Sequence, residues 1–85
     1  MFENKICWKL NNNDQEMLKR VVCDLDGRLT LMGGDYHFEN ITVWSDGTYC
    51  HTAEQEFSNS LFADKTLFYT DENMFLNDIK TYFKI

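Results

Sequence analysis

Two Asp-Gly dipeptides, Asp26-Gly27 and Asp46-Gly47, interrupt the apolar runs of this chain. Asp-Gly between apolar runs is the strongest short-range signal of a β-hairpin, because the tight turn needs positive φ angles. The chain has no proline, so its turns must be formed by Gly, Asn and Asp. The pattern therefore predicts one hairpin over residues 21–32 and a second that joins strands 36–44 and 48–52.

The remaining segments contain both strand and helix signals. Residues 2–10 alternate apolar and polar side chains, which predicts a strand. Thr52 and Gln55 have the spacing of a capping box and predict a helix that extends to about Ala63. Residues 66–69 are a short strand, and acidic residues at 71–72 begin a C-terminal helix. Residues 15–23 fit either a helix capped by Asp14 or a strand.

These elements predict a single α+β domain over residues 1–85. Its sheet is expected to be small and antiparallel, with about four to six strands, two Asp-Gly hairpins and two C-terminal helices. A composition of 44% hydrophobic and 15% aromatic residues is sufficient for a core and argues against disorder. No secretion signal is evident and no apolar run approaches the ~20 residues of a membrane span. We therefore expect a cytoplasmic protein with no membrane partner.

The net charge of −6 is concentrated in the middle of the chain. Between Leu29 and Asp64 there is no Lys or Arg, whereas the remaining eight acids and eight bases cancel. The acids of this middle segment are Asp35, Glu39, Asp46, Glu54, Glu56 and Asp64. Carboxylates without nearby cations attract basic partners and pair with them.

Aromatic residues accompany these acids. If Asp46-Gly47 forms a two-residue loop, Trp44 pairs with Tyr49 across the hairpin, and Tyr36 and Phe38 share their face. That face is either part of the core or an interface, since Tyr and Trp are frequent in interface hot spots. As an interface, it would provide Tyr36, Trp44 and Tyr49 as anchors.

The leading functional hypothesis is a non-enzymatic acidic binding protein. It would act as a stoichiometric inhibitor of a larger basic protein that handles nucleic acid, as phage-encoded inhibitors of host or anti-phage defence proteins and antitoxin or immunity proteins do. No cofactor, metal ion or catalytic residue is expected, and a free edge strand could support a homodimer. The predicted partner-binding residues are Asp35, Tyr36, Glu39, Trp44, Asp46, Tyr49, Glu54, Glu56 and Asp64.

A second hypothesis uses the basic residues of the first third of the chain. If they lie on one face beside Trp8, they could bind single-stranded nucleic acid. Fourteen acids would oppose this binding by repelling phosphates, so direct nucleic-acid binding is not the leading hypothesis. The basic residues are Lys5, Lys9, Lys19, Arg20 and Arg28.

A third hypothesis comes from Asp24-Leu25-Asp26-Gly27, which resembles the first motif of the haloacid dehalogenase-type phosphotransferases. The resemblance implies a magnesium-dependent phosphotransferase, with Asp24 as the nucleophile and Asp26 as the acid/base. It covers four residues, and Arg28 follows where the family usually has Thr or Val. The family's later motifs have no match, and its fold needs a longer chain. The sequence therefore favours a turn at this position.

Overall fold

The computed structural model describes residues 5–53 and 64–85, which form one five-stranded sheet and two helices. This arrangement confirms the predicted α+β class with a small sheet. In chain order the elements are β1 (Ile6–Asn11), α1 (Gln15–Leu25), β2 (Thr30–Gly34), β3 (Asn40–Trp44), β4 (Thr48–Thr52), β5 (Lys65–Tyr69) and α2 (Glu72–Phe83).

The sheet has the strand order β2-β4-β3-β1-β5 and is mixed. The β1–β3 and β3–β4 pairs are antiparallel, whereas β1–β5 and β2–β4 are parallel. The prediction of an antiparallel sheet was therefore wrong at both edges. Neighbouring parallel strands are joined by long connections rather than by tight turns, so no local sequence signal predicts their pairing.

Helix α1 replaces the first predicted hairpin. Asp14 caps the helix, since its Oδ1 accepts a hydrogen bond from the Met17 N–H at 3.2 Å. The buried residues Met17, Leu18, Val21 and Leu25 follow the helical period, so residues 15–23 are helical. The backbone leaves the helix at the extended Asp26 cap, and Gly27, with φ +81°, lies in the turn after the helix and not in a hairpin.

The second Asp-Gly dipeptide does form the predicted β3–β4 hairpin, but its register differs by one residue. The Gly47 N–H donates to the Trp44 carbonyl at 3.0 Å, and Gly47 has φ +92°. The loop is therefore three residues long, and Val43 rather than Trp44 pairs with Tyr49. A shift of one residue moves a side chain to the opposite face of the sheet. Trp44 and Tyr49 consequently lie on different faces.

The core lies between one face of the sheet and the two helices. Val43 and Tyr49 on this face pack with residues of α1 and with Phe75 and Ile79 of α2. Tyr49 is only 1% exposed. The other face carries Trp44 together with the buried residues Cys7, Lys9 and Thr42.

Helix α2 confirms the predicted helix at the C-terminus. Asp71 caps it by accepting a hydrogen bond from the Met74 N–H at 3.0 Å, and Tyr82 packs against Trp8 with ring centroids 5.0 Å apart. The other predicted C-terminal helix, which ends near Ala63, lies almost entirely outside the described residues. Thr52, its predicted cap, is the last residue of β4. Neither of the two helices described is long and apolar enough to cross a bilayer.

Candidate functional site

Charged residues are distributed differently at the two ends of the sheet. At the end where β1, β2, β4 and β5 finish, residues 11–16, 34–40, 51–53 and 69–72 contain six carboxylates and no Lys or Arg. We call this set of carboxylates the acidic end. It consists of Asp14, Glu16, Asp35, Glu39, Asp71 and Glu72.

The connection between β2 and β3 is fixed to this end by hydrogen bonds. The Asp35 N–H donates to the His51 carbonyl at 2.9 Å, and the Ala53 N–H donates to Asp35 Oδ2 at 2.9 Å. The Glu39 N–H donates to the Thr52 carbonyl at 3.0 Å. The end of β4 therefore holds Asp35 and Glu39 in place at the same end of the sheet.

The other four carboxylates have positive charge close by. Asp14 and Asp71 cap the N-termini of α1 and α2, and Glu16 and Glu72 lie in the first turns, where the helix dipole favours a negative charge. Glu72 also forms an ion pair with Arg20 at 2.7 Å. Asp35 and Glu39 are exposed and form no ion pair with a described Lys or Arg. They are therefore the carboxylates most available to a partner.

At the opposite end of the sheet, two of the predicted carboxylates lie close to Lys5. The Lys5 N–H donates to Asp64 Oδ2 at 3.0 Å, and Lys5 Nζ lies 3.7 Å from Asp46 Oδ2. The Thr48 hydroxyl donates to Asp46 Oδ1 at 2.6 Å, and this hydrogen bond lowers the pKa of Asp46 below its ordinary value. Asp46 and Asp64 were predicted to act with Asp35 and Glu39, but the structure separates them by the length of the sheet.

The three predicted aromatic anchors are also separated. Tyr36 lies beside Asp35 and is 96% exposed. The side chain of Tyr49 lies in the core, as one of the two interpretations of its face expects, and is not accessible to a partner. Trp44 is half-buried on the other face of the sheet, away from the acidic end. Glu54 and Glu56, the last two predicted residues, lie outside the described part of the chain.

The sequence interpretation missed two groups of residues near this surface. The first group is the acids at the N-termini of the two helices, for which the sequence indicates only a role in helix capping or in the first turn: Asp14, Glu16, Asp71 and Glu72. Their common location depends on the parallel arrangement of β1 and β5. The exposed apolar residues Leu31 and Met32 were assigned to a hairpin, whereas they lie in the edge strand β2.

Gly34 has a specific packing role beside the acidic end. A Cβ atom at this position would overlap the imidazole ring of His51, which packs against Phe38 with ring centroids 4.2 Å apart. We expect Gly34→Ala to displace this ring and lower the free energy of unfolding by about 1–3 kcal/mol, as overpacking does. Urea denaturation would measure the change. Gly33→Ala is the matched control, since a Cβ there meets nothing within 4 Å, and equal effects of the two variants would contradict the packing role.

The five basic residues of the second hypothesis do not form one surface. Lys9 is buried in β1, and Lys5 is in the ion pair with Asp46 described above. Arg20 pairs with Glu72, and Arg28 Nε lies 3.3 Å from Asp24 Oδ1. The remaining residue, Lys19, is exposed on α1.

The Asp24-Leu25-Asp26-Gly27 segment lies at the end of α1 and not after a buried strand. Asp24 accepts a hydrogen bond from Lys80 Nζ at 2.7 Å, so it connects α1 to α2, and Asp26 is the C-terminal cap. This placement differs from the one that the phosphotransferase resemblance implies. Within residues 5–53 and 64–85, no group of three or more His, Cys, Asp or Glu side chains is arranged to hold a metal ion.

Comparison of the chain with models of protein families, with curated proteins and with solved structures gave no significant match. We therefore base a functional proposal on the charge distribution and on the exposed side chains.

Proposed function

We propose that this protein is a non-enzymatic binding protein that contacts a larger basic protein through its acidic end. The observation that carries the proposal is the separation of charge. The segments at one end of the sheet contribute six carboxylates, of which Glu72 is paired with Arg20 from α1, and Tyr36 lies there almost fully exposed. Asp46 and Asp64 are not part of this proposed contact.

Electrostatics gives this surface a physical role. A surface with one sign of charge accelerates the encounter with an oppositely charged partner and disfavours partners of like charge. Extended basic surfaces are typical of proteins that handle nucleic acid. By occupying such a surface in a one-to-one complex, the protein would act as a stoichiometric inhibitor and would need no catalytic group.

Tyr36 provides the expected anchor. Aromatic residues at the centre of interfaces often dominate the binding energy, because they bury a large area while few rotatable bonds are fixed. The neighbouring residues Asp35 and Glu39 are already held by hydrogen bonds to residues 51–53, so binding would cost little backbone ordering.

Charge reversal at the two ends of the sheet tests the proposal. We expect Glu39→Lys to weaken capture of a basic protein from a lysate of the native host by about tenfold or more, because an attractive charge becomes repulsive. Asp46→Lys changes the net charge equally at the opposite end and should retain capture. Binding would be measured by titrating the captured and purified partner, and thermal unfolding would confirm that both variants fold.

Aromatic truncation gives a second comparison. Tyr36→Ser should weaken the same complex, whereas Phe68→Ser removes a ring that is 74% exposed on the other edge strand and should leave it unchanged. If no captured protein distinguishes Glu39→Lys from Asp46→Lys, the acidic end is not a binding surface and the proposal is wrong.

A further inference from the structure

Among the described strands, β2 is an edge of the sheet and pairs only with β4. All five of its residues, Thr30–Gly34, are exposed. The Thr30 N–H donates to the Gly47 carbonyl at 2.9 Å, so Thr30 faces β4. Because successive residues of a strand direct their backbone groups to alternate sides, the N–H and C=O of Leu31 face away from the sheet. Another chain could form backbone hydrogen bonds with this edge.

Natural sheets protect their edges with Lys, Pro, bulges or short strands. The other edge strand, β5, begins with the exposed residue Lys65. Strand β2 contains neither a charged residue nor proline, and within residues 5–53 and 64–85 its protection consists of its short length and a bulge between Leu31 and Gly33. Leu31 and Met32 are exposed there, Met32 to 69%. Of the two edges, β2 is therefore the better one for adding a strand.

We propose that β2 binds an extended, Lys- or Arg-containing segment of a protein partner by strand addition. The charges around β2 favour a basic segment as the added strand. Asp26 and Arg28 precede the strand, with Arg28 in an ion pair with Asp24, Asp35 follows it directly, and no Lys or Arg occurs in residues 29–53. A segment with apolar residues against Leu31 and Met32 and basic residues at its ends would match both features. This inference rests on the proposed function and gives its mode of contact.

Synthetic peptides test the inference with the full chain. The probe is a peptide of alternating lysine and valine of about ten residues, long enough to extend past both ends of β2. Titration followed by NMR should shift the amides of β2 and slow hydrogen exchange at Leu31. A lysine–proline peptide has the same charge and is extended, but proline prevents a β ladder. We expect it to bind at least about tenfold more weakly, because it lacks the backbone hydrogen bonds. A glutamate–valine peptide should not bind.

A pair of variants tests the edge from the protein side. Leu31→Pro removes an N–H that faces away from β4 and should weaken lysine–valine binding by about tenfold or more. Leu31→Ala keeps that N–H and controls for loss of the side chain. If the NMR spectrum shows that Leu31→Pro is unfolded, the comparison of the lysine–valine and lysine–proline peptides still tests strand addition.

Three outcomes would overturn strand addition. Equal binding of the lysine–valine and lysine–proline peptides, with shifts confined to the acidic end, would mean that charge alone binds the probe, and the proposed function would stand. Absence of binding by the lysine–valine peptide would exclude strand addition at β2. The proposed function would then be tested separately by comparing Glu39→Lys with Asp46→Lys. Shifts in β2 that depend on protein concentration without peptide would identify a second copy of the chain as the occupant.

Discussion

Replacing Tyr49 with alanine is expected to lower the free energy of unfolding by about 3–5 kcal/mol, the usual cost of removing a large buried side chain. A domain of this size has a total stability of roughly 5–10 kcal/mol, so the substitution should remove a large part of it and lower the urea concentration at which the protein unfolds. The reason is its position, since Tyr49 pairs with Val43 on the core face of the sheet and is 1% exposed. Urea denaturation followed by circular dichroism would measure the change.

Two comparisons make this prediction specific. Tyr36→Ala removes the same side chain from a site that is 96% exposed and should change stability by less than about 0.5 kcal/mol. Tyr49→Phe keeps the ring and should be much milder than Tyr49→Ala. A small effect of Tyr49→Ala would contradict the Val43–Tyr49 register and restore the predicted pairing with Trp44.

Alkaline pH is expected to destabilise the protein through Cys7. Burial of this fully buried thiol, opposed by the nearby charge of Lys9, raises its pKa to about 11 from an ordinary value of 9.0. The folded state therefore keeps a proton that the unfolded state loses, and stability falls as pH rises between 9 and 11. The shift corresponds to about 3 kcal/mol in total, all of it present below pH 9 and lost above pH 11.

The contribution of Cys7 can be isolated with variants. Cys7→Ala should reduce the slope of stability against pH in this range, even if it also lowers stability at neutral pH by leaving a small cavity. Cys23→Ala removes an exposed thiol and should retain the alkaline loss. Some loss should persist in Cys7→Ala, because burial also raises the pKa values of Tyr49 and Tyr69. An unchanged slope in Cys7→Ala would show that the Cys7 thiol does not titrate with folding.

The proposed strand addition and the proposed acidic contact make different demands on a partner. The acidic end needs only a concentration of positive charge, whereas β2 needs a segment that can become extended and present its backbone. A partner that satisfies both would bind with charge-driven association and with dissociation limited by the backbone hydrogen bonds. Added salt should therefore slow association more than it accelerates dissociation.

The two Asp-Gly dipeptides show what local signals could and could not predict. In both dipeptides the glycine has a positive φ. One closes the β3–β4 hairpin and the other ends α1, because the apolar residues before it, Met17, Leu18, Val21 and Leu25, repeat with a helical period. A glycine with positive φ occurs in the turn that follows a helix as well as in a hairpin, so the dipeptide alone does not distinguish them.

The functional prediction was limited by a similar ambiguity. The absence of bases between Leu29 and Asp64 is a property of the sequence, and it directed attention to Asp35 and Glu39. It could not show that Asp46 and Asp64 lie at the other end with Lys5, because that contact joins residues distant in the chain. A one-residue difference in hairpin register decided that Tyr49 is in the core.

The sequence by itself determined the α+β class, the α2 helix, the second hairpin and the excess of negative charge, because apolar periodicity, caps and turn residues act over a few neighbouring positions. Only the tertiary structure decided the mixed sheet, the faces of Trp44 and Tyr49, and the gathering of six carboxylates at one end. These features depend on which strands become neighbours and in which direction they run. Pairing between distant segments is selected by the packing of the whole core, and local propensities do not encode it.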